Sequence, residues 1–346
     1  MSIEKTPAWT VRTYGEPAAV LRYEEMEVPA PGRDQVLVKV RHTSLNVIDL
    51  RMTQGYGRRL RKLVSGREFP FIAGKDLVGE VVEVGPGVNQ FKCGDRVAGI
   101  TGPKESGAFA QFVAVDAGHV VRVPTTVSGA ELAAIPYVAL TTWTALVTRA
   151  KLDLDEARGK RLLVHAGSGG VGSYAIQWAR ALGMKVVTTC GPTNVEWVKE
   201  LGADQVVDYT REDYRVCVDP VDIAYDTLGF DHEDGTANLV KQGGKYVSIV
   251  HQLMPYTDKH GLVVGGGRAI GRLLRKKFLN RLKGRSFDWS VCQPSEKGLA
   301  QAMELVEAGS VRAVIDRLLP MTDIVEGYKQ LATGRTKGKI VLEWTD

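Results

Sequence analysis

The sequence is poor in the features that mark most specialised protein classes. Its four cysteines, Cys93, Cys190, Cys217 and Cys292, stand far apart and form no C-x-x-C pair. A disulfide framework and a zinc knuckle are both disfavoured by that spacing, and a reducing compartment is the simpler expectation. No apolar run approaches the ~20 residues of a membrane span. The opening MSIEKTPAWT has no signal-peptide core, so the expected location is cytoplasmic, or mitochondrial if a transit peptide has been removed. Neither charge sign dominates: a net charge of +5 is too mild to argue for nucleic acid, and none is expected as a partner. The six histidines, His42, His119, His165, His232, His251 and His260, form no ligand cluster along the sequence, and no metal is expected. Internal repeats and low-complexity segments are also missing.

What remains is the composition of an ordinary globular protein, 44% hydrophobic and 25% charged over 346 residues, long enough for two cores. Two textures divide the chain. Residues 8 to 125 read as short strands broken by Gly and Pro, among them QVLVKVRHTSL, LVGEVVEVGPGV, GDRVAGI, GAFAQFVAV and HVVRVP, which predicts a barrel-like β domain. From about residue 130 strands alternate with helices, as in RLLVHA, KVVTTC, QVVDY, DIAYDTLG, KYVSIV and SFDWSVC. That alternation predicts βαβ units and a doubly wound parallel sheet, an α/β class. Beyond residue 294 come a helix (EKGLAQAMELVEAG), a strand (AVIDRLLP), a further helix and a closing strand, GKIVLEW.

The segment RLLVHAGSGGVGSYAIQWARALG, 161 to 183, runs from a buried strand through a glycine cluster into a helix. Val171, Ala175, Trp178 and Leu182 fall on one helical stripe. Gly167, Gly169 and Gly172 fit G-x-G-x-x-G: a tight turn, a close approach of backbone to pyrophosphate, and close packing of helix on strand. The phosphates belong at the helix N-terminus, where unpaired N–H groups and the macrodipole favour anions. The next strand, Lys185 to Cys190, ends TTCGPTN without an acid. A carboxylate there usually accepts from the ribose 2′-OH of NAD; its absence removes repulsion against a 2′-phosphate and favours NADP(H).

One segment is unlike the rest. In GRAIGRLLRKKFLNRLKGR, 267 to 285, Arg268, Arg272, Arg275, Lys276, Lys277, Arg281, Lys283 and Arg285 are basic with no acid among them. Ile270, Leu273, Leu274, Phe278 and Leu282 fall at helical spacing. A basic amphipathic helix suits a membrane surface or a partner. The plainer expectation is a helix whose apolar stripe is core and whose charges face water.

The stretches NVIDLRMTQGYG, FPFIAGKDLVGEVVEVG, FKCGDRVAG, GAFAQFVAV, AAIPYVALTTWTAL, AGSGGVG, LGADQVVDY and GKIVL, in that order, make the chain resemble a medium-chain dehydrogenase/reductase of the zinc-independent, quinone-oxidoreductase type. The resemblance implies a GroES-like barrel domain, 1–136 and 294–346, with a Rossmann domain, 137–293, between its parts and the active site in the cleft. Zinc-dependent relatives carry a cysteine near Asn46 and Gly-His-Glu where this chain has Gly-Lys-Asp ending at Asp76. The implied activity is therefore hydride transfer from NADPH to a quinone or an α,β-unsaturated carbonyl without zinc, with a small-molecule quinone or enone as substrate. Asn46, Asp49 and Tyr56 are the implied catalytic residues: Asn46 orients nicotinamide or substrate, Asp49 anchors the loop, and Tyr56 serves the oxyanion or delivers a proton. The alternatives are a rim residue for Tyr56 and a turn cap for Asp49. NADP(H) is implied at Thr141, Gly167, Ser168, Gly169, Gly170, Val171, Gly172, Gly191, Thr193, Asn194, Tyr209, Leu228 and Gly229, with charge from Arg335, Lys337 and Lys339. Asn194 stands where the family often has lysine. A homodimer and a membrane-surface contact through 267–285 are the further partner expectations. A cofactor-keeping scaffold or partner-binding protein is the alternative function. The loops from Gly57 to Phe69 and His251 to Val264 carry no readable substrate code.

Overall fold

The first strand of the α/β half, Arg161–Val164, is buried on both faces, with Leu162, Leu163 and Val164 fully inaccessible. A strand of that kind needs neighbours on either side and helices above and below. The computed structural model, which describes residues 4–66 and 68–345, supplies them. Two units result: Met1–Tyr137 with Pro294–Glu307 and Ala313–Asp346, and Val138–Gln293 with Ala308–Arg312.

In the second unit six strands run parallel in the order Gln205–Asp208, Lys185–Cys190, Arg161–Val164, Val221–Asp226, Val240–Ser248, Ser286–Trp289. The direction of winding reverses between Arg161–Val164 and Val221–Asp226, and ligands of such sheets bind outside the strand ends at that reversal. The helix Gly170–Ala181 is buried nearly all round, including Ala175 and Trp178, so its apolar stripe was only part of its covered surface. The segment Ala308–Arg312 joins this unit and not the barrel domain expected for it. The Gln177 side chain holds it, donating to the Arg312 carbonyl (3.0 Å) and accepting from its N–H (2.9 Å).

In the first unit the strand Gln35–Leu45 is the hub. It pairs antiparallel with Asp76–Val84, Phe112–Asp116 and Lys339–Glu343, so residues 300 positions apart in sequence become neighbours. Alternation along these strands points Val36, Val38, Val40, Leu77, Val81, Ile340 and Leu342 into one core. Tyr137 belongs here, its N–H donating to the Asp76 carboxylate at 2.6 Å.

Three expectations are corrected. The region from Gly57 to Phe69 contains a helix, Arg58–Ser65, and that from His251 to Val264 contains Leu253–His260 and the start of Leu262–Leu282. The stretch Gly129–Arg149, helical through three consecutive segments, is long and apolar enough by composition to cross a bilayer. Since 78% of its apolar window is buried inside the protein, it is a core helix. Finally, the row Ile270, Leu274, Phe278 and Leu282 is exposed; of the five apolar residues expected in the core only Leu273 packs there.

Candidate functional site

At the end of Arg161–Val164 the chain turns sharply. Ala166 takes a left-handed φ of 52°, and Gly167 donates its N–H to the Thr189 carbonyl at 2.9 Å. Gly169 ends the turn with extended backbone and no side chain caps the helix that follows. A Cβ on Gly169 would meet only the Ala166 carbonyl, at 3.5 Å. On Gly172 the same atom would stand 2.2 Å from that oxygen. One glycine therefore leaves open space before the helix N-terminus and the other lets the helix press onto the turn, the arrangement a pyrophosphate requires.

The rim of this site comes from the neighbouring strand ends. Asp226, fully buried, accepts the N–H groups of Leu228 and Gly229 at 2.8 Å each and the Tyr246 hydroxyl at 2.7 Å. It fixes the loop that carries both expected cofactor residues. Gly229 has φ 67° and ψ −160°, a glycine conformation. Asp226 was not among the residues expected from the sequence; an acid ending the apolar run Ile223–Tyr225 was the available signal. His165 lies between the hydroxyls of Thr189 (3.2 Å) and Thr236 (2.8 Å), and burial lowers its pKa to about 4, keeping it neutral.

At the end of Lys185–Cys190, Gly191 leads into a short turn, Pro192–Asn194, with Thr193 exposed. Asn194 accepts the Trp197 indole N–H at 3.0 Å. Tyr209 is 64% exposed, and its hydroxyl is 3.5 Å from the place of a Gly191 Cβ. The acid beside it, Asp208, turns onto its own loop and accepts from Thr210. Ser168, Gly170 and Val171 are half-buried around the turn, and Thr141 is buried in the helix Pro136–Trp143.

In the first unit the hub strand ends at Leu45, opposite Ile340, and the adjacent Asp76 strand begins one step away. That register brings Asn46, Asp76 and Lys339 together, all buried. One Asp76 oxygen accepts from the Ser44 hydroxyl (2.5 Å), the Asn46 amide (2.8 Å) and the Lys339 ammonium (3.3 Å), and the other from Tyr137 N–H. Lys339 also donates to the Leu45 carbonyl at 3.1 Å and to Asn46 Oδ1. Asp49 accepts from Asn46 N–H (3.0 Å) and Gly74 N–H (3.2 Å), tying the helix Val47–Thr53 to the Gly74 loop. Burial raises its pKa to about 6, and the nearby Asp76 charge adds to the rise while Lys75 and Lys339 oppose it. Tyr56 is half-buried; its N–H closes the turn onto the Arg51 carbonyl (2.9 Å), and the Arg51 guanidinium lies 5.8 Å from its ring centre. Among the described residues no group of three His, Cys, Asp or Glu side chains could hold a metal ion.

Known proteins match this arrangement over its length. Residues 32–125 fit the alcohol dehydrogenase GroES-like domain, and 201–342 the zinc-binding dehydrogenase domain. The mitochondrial NAD(P)H oxidoreductase RTN4IP1 of Danio rerio is 34% identical, over 97% of this chain and 90% of its own. A chloroplast envelope quinone oxidoreductase homolog of Arabidopsis thaliana is 33% identical, over 96% of each. The solved quinone oxidoreductase of Coxiella burnetii superposes with a TM-score of 0.83 at 29% identity, over 99% of this chain and 100% of its own. The chain belongs to the medium-chain dehydrogenase/reductases of the quinone-oxidoreductase type. It is an oxidoreductase of a family that uses a nicotinamide cofactor.

Within that family frame one sequence expectation fails. Lys339 was expected to give charge to a 2′-phosphate, but its ammonium is buried and its three protons are taken by Asp76, Asn46 and the Leu45 carbonyl. It neutralises a buried carboxylate instead. Arg335 and Lys337 are exposed, and Arg335 N–H donates to the Thr333 hydroxyl at 3.2 Å.

Two outcomes follow for this oxidoreductase. Lys339→Met leaves Asp76 charged, buried and uncompensated, and should cost ~3–5 kcal/mol in denaturant unfolding. Adding Asp76→Asn should restore most of that loss; additive losses in the double variant would refute the pairing. Asp49 has a folded pKa above its unfolded one, so the fold holds its proton more tightly. Its contribution is fully present below about pH 4 and is lost as pH rises towards about 6, by roughly 2–3 kcal/mol. Asp49→Asn should flatten the stability-against-pH curve across that window, which urea titrations on either side of it will show.

Proposed function

We propose that this medium-chain reductase transfers hydride from NADPH to a quinone or an α,β-unsaturated carbonyl, without zinc. The observation that carries the cofactor choice is the end of the strand Lys185–Cys190. It holds no acid, and the nearest one in the adjacent strand, Asp208, is bound to Thr210. A 2′-phosphate meets no repulsion from Gly191, Thr193 and Asn194, and Tyr209 offers an exposed ring and hydroxyl. Arg211, two residues on and 81% exposed at its side chain, lies 3.7 Å from the Asp208 carboxylate and offsets the one acid near this strand end.

The residues present fit the nucleotide. The helix N-terminus at Gly169 to Gly172 takes the pyrophosphate, while Ser168, Gly170 and Val171 line the turn. Leu228 and Gly229, pinned by Asp226, and Thr141 are assigned to the nicotinamide end. When bound, NADPH supplies the hydride. The protein's own task is to hold the developing enolate or phenolate oxygen and to provide a proton. Tyr56 is assigned that role, its ring steadied by Arg51. Asn46 donates one amide proton to Asp76 and accepts from Lys339 at Oδ1, so its second amide proton is left to orient a substrate carbonyl. The zinc-free reading rests on the donor set: an amide at position 46, and a carboxylate at 76 already matched by a lysine.

A nucleotide-keeping protein whose main work is with a partner is the second reading, favoured by the exposed apolar face of the helix Leu262–Leu282. Consumption of NADPH with a panel of quinones and enals separates the two. Turnover that survives chelation supports the reductase; turnover lost to a chelator and restored by zinc overturns the zinc-free assignment. By fluorescence titration NADPH should bind at least tenfold more tightly than NADH, about 1.4 kcal/mol; equal affinities sink the phosphate argument. Gly169→Ala should weaken NADPH binding severely while costing the apo protein less than about 1 kcal/mol. Gly172→Val should lower stability by ~1–3 kcal/mol or more through overpacking. Equal loss of stability in both, with normal binding, would make the cluster a structural turn.

A further inference from the structure

The helix Leu262–Leu282 is turned opposite to an ordinary amphipathic surface helix. Its inward side carries Gly265, Ala269, Lys276 and Asn280, all buried. Ion pairs fix that rotation: Lys276 with Glu233 (3.5 Å) and Asp234, Arg272 with Glu233 (2.6 Å), and Lys277 with Asp288 (2.8 Å). Gly265 adds a steric reason, since a Cβ there would stand 2.1 Å from the Tyr256 carbonyl.

With Arg272, Lys276 and Lys277 drawn inward, a row of apolar residues faces out. Val263 is 88% exposed, Ile270 56%, Leu274 60%, Phe278 62% and Leu282 70%. Spaced by seven and then by four residues, they form one row along the helix. Gly267 and Gly271, where a Cβ would touch nothing, lie on the same side. Scattered exposed apolar residues are normal on a soluble protein; a continuous row of five along one helix marks a contact surface. Arg268, Arg275 and Arg281 border it, exposed, and among the described residues none has an acidic partner. No Asp or Glu occurs from 259 to 287.

We propose that this face docks on a bilayer surface rich in acidic phospholipid. The helix lies in the plane of the membrane, its apolar row at the boundary of headgroups and acyl chains and its arginines against phosphates. Its 21 residues give roughly 30 Å of contact. A basic flank with an apolar centre is the pattern of interfacial helices. Charge decides between this occupant and a second copy of the chain. Two such helices face to face would crowd both sets of arginines with no acid on either, whereas an anionic surface neutralises them.

Flotation with phosphatidylcholine vesicles, with and without phosphatidylserine, tests the proposal at low and raised salt. The protein should float only with phosphatidylserine, less so as salt rises. Two variants, each at exposed positions, separate the contributions: Leu274→Ser with Phe278→Ser, and Arg275→Glu with Arg281→Glu. Each pair should lower vesicle affinity by roughly tenfold or more while Tm and NADPH binding stay those of the parent protein. No flotation with phosphatidylserine overturns the proposal, as does flotation that both pairs leave unchanged. A dimer seen by sedimentation that the Leu274, Phe278 pair dissociates, in a protein that does not float, assigns the face to self-association instead.

Discussion

The buried carboxylate of Asp76 is the constraint on which the first unit turns. A charge with no exposure needs a matching charge and a donor for nearly every lone pair, or it costs several kcal/mol. Four donors meet it: Ser44, Asn46, the Tyr137 backbone and Lys339. They come from three separate stretches of chain, and each must be in register for the charge to be tolerated. The C-terminal strand Lys339–Glu343 can pair with Gln35–Leu45 through hydrophobic alternation alone, but it is Lys339 that ties the pairing to the Asn46 turn. That same lysine holds the Asn46 amide oxygen, so the support of the fold and the orientation of the candidate site are one network.

The second unit uses a buried acid differently. Asp226 pairs with no cation among the described residues; it accepts two backbone N–H groups and a tyrosine hydroxyl. Its work is to set the loop at Leu228 and Gly229 beside the turn at Gly167 to Gly172, at the reversal of strand order. Preorganising a loop in this way lowers what a bound nucleotide must spend on ordering it. His165 contributes to the same rim as a neutral ring between two threonines, without a charge that would act on a phosphate.

The helix Leu262–Leu282 shows where periodicity stops being informative. The spacing of Ile270, Leu274, Phe278 and Leu282 established an apolar face, and burying that face was the natural expectation. Glu233, Asp234 and Asp288 lie on other segments of the unit and draw Lys276, Arg272 and Lys277 inward. A hydrophobic stripe says that a helix has two sides; the partners it meets decide which side is in.

Local chemistry was enough to fix much of this protein from its sequence. The strands Gln35–Leu45 and Lys185–Cys190 coincide with runs readable as strands, and the glycine cluster announced its turn, because alternation and glycine spacing act over a few residues. The missing acid after Thr189 was legible for the same reason. Only the tertiary structure assigned Lys339 to Asp76, gave Ala308–Arg312 to the second unit through Gln177, made Asp226 a loop anchor and turned the basic helix outside in. Each of these is a pairing between residues distant in the chain. A buried charge or amide fixes its partner by position in space, and no pattern within either segment carries that position.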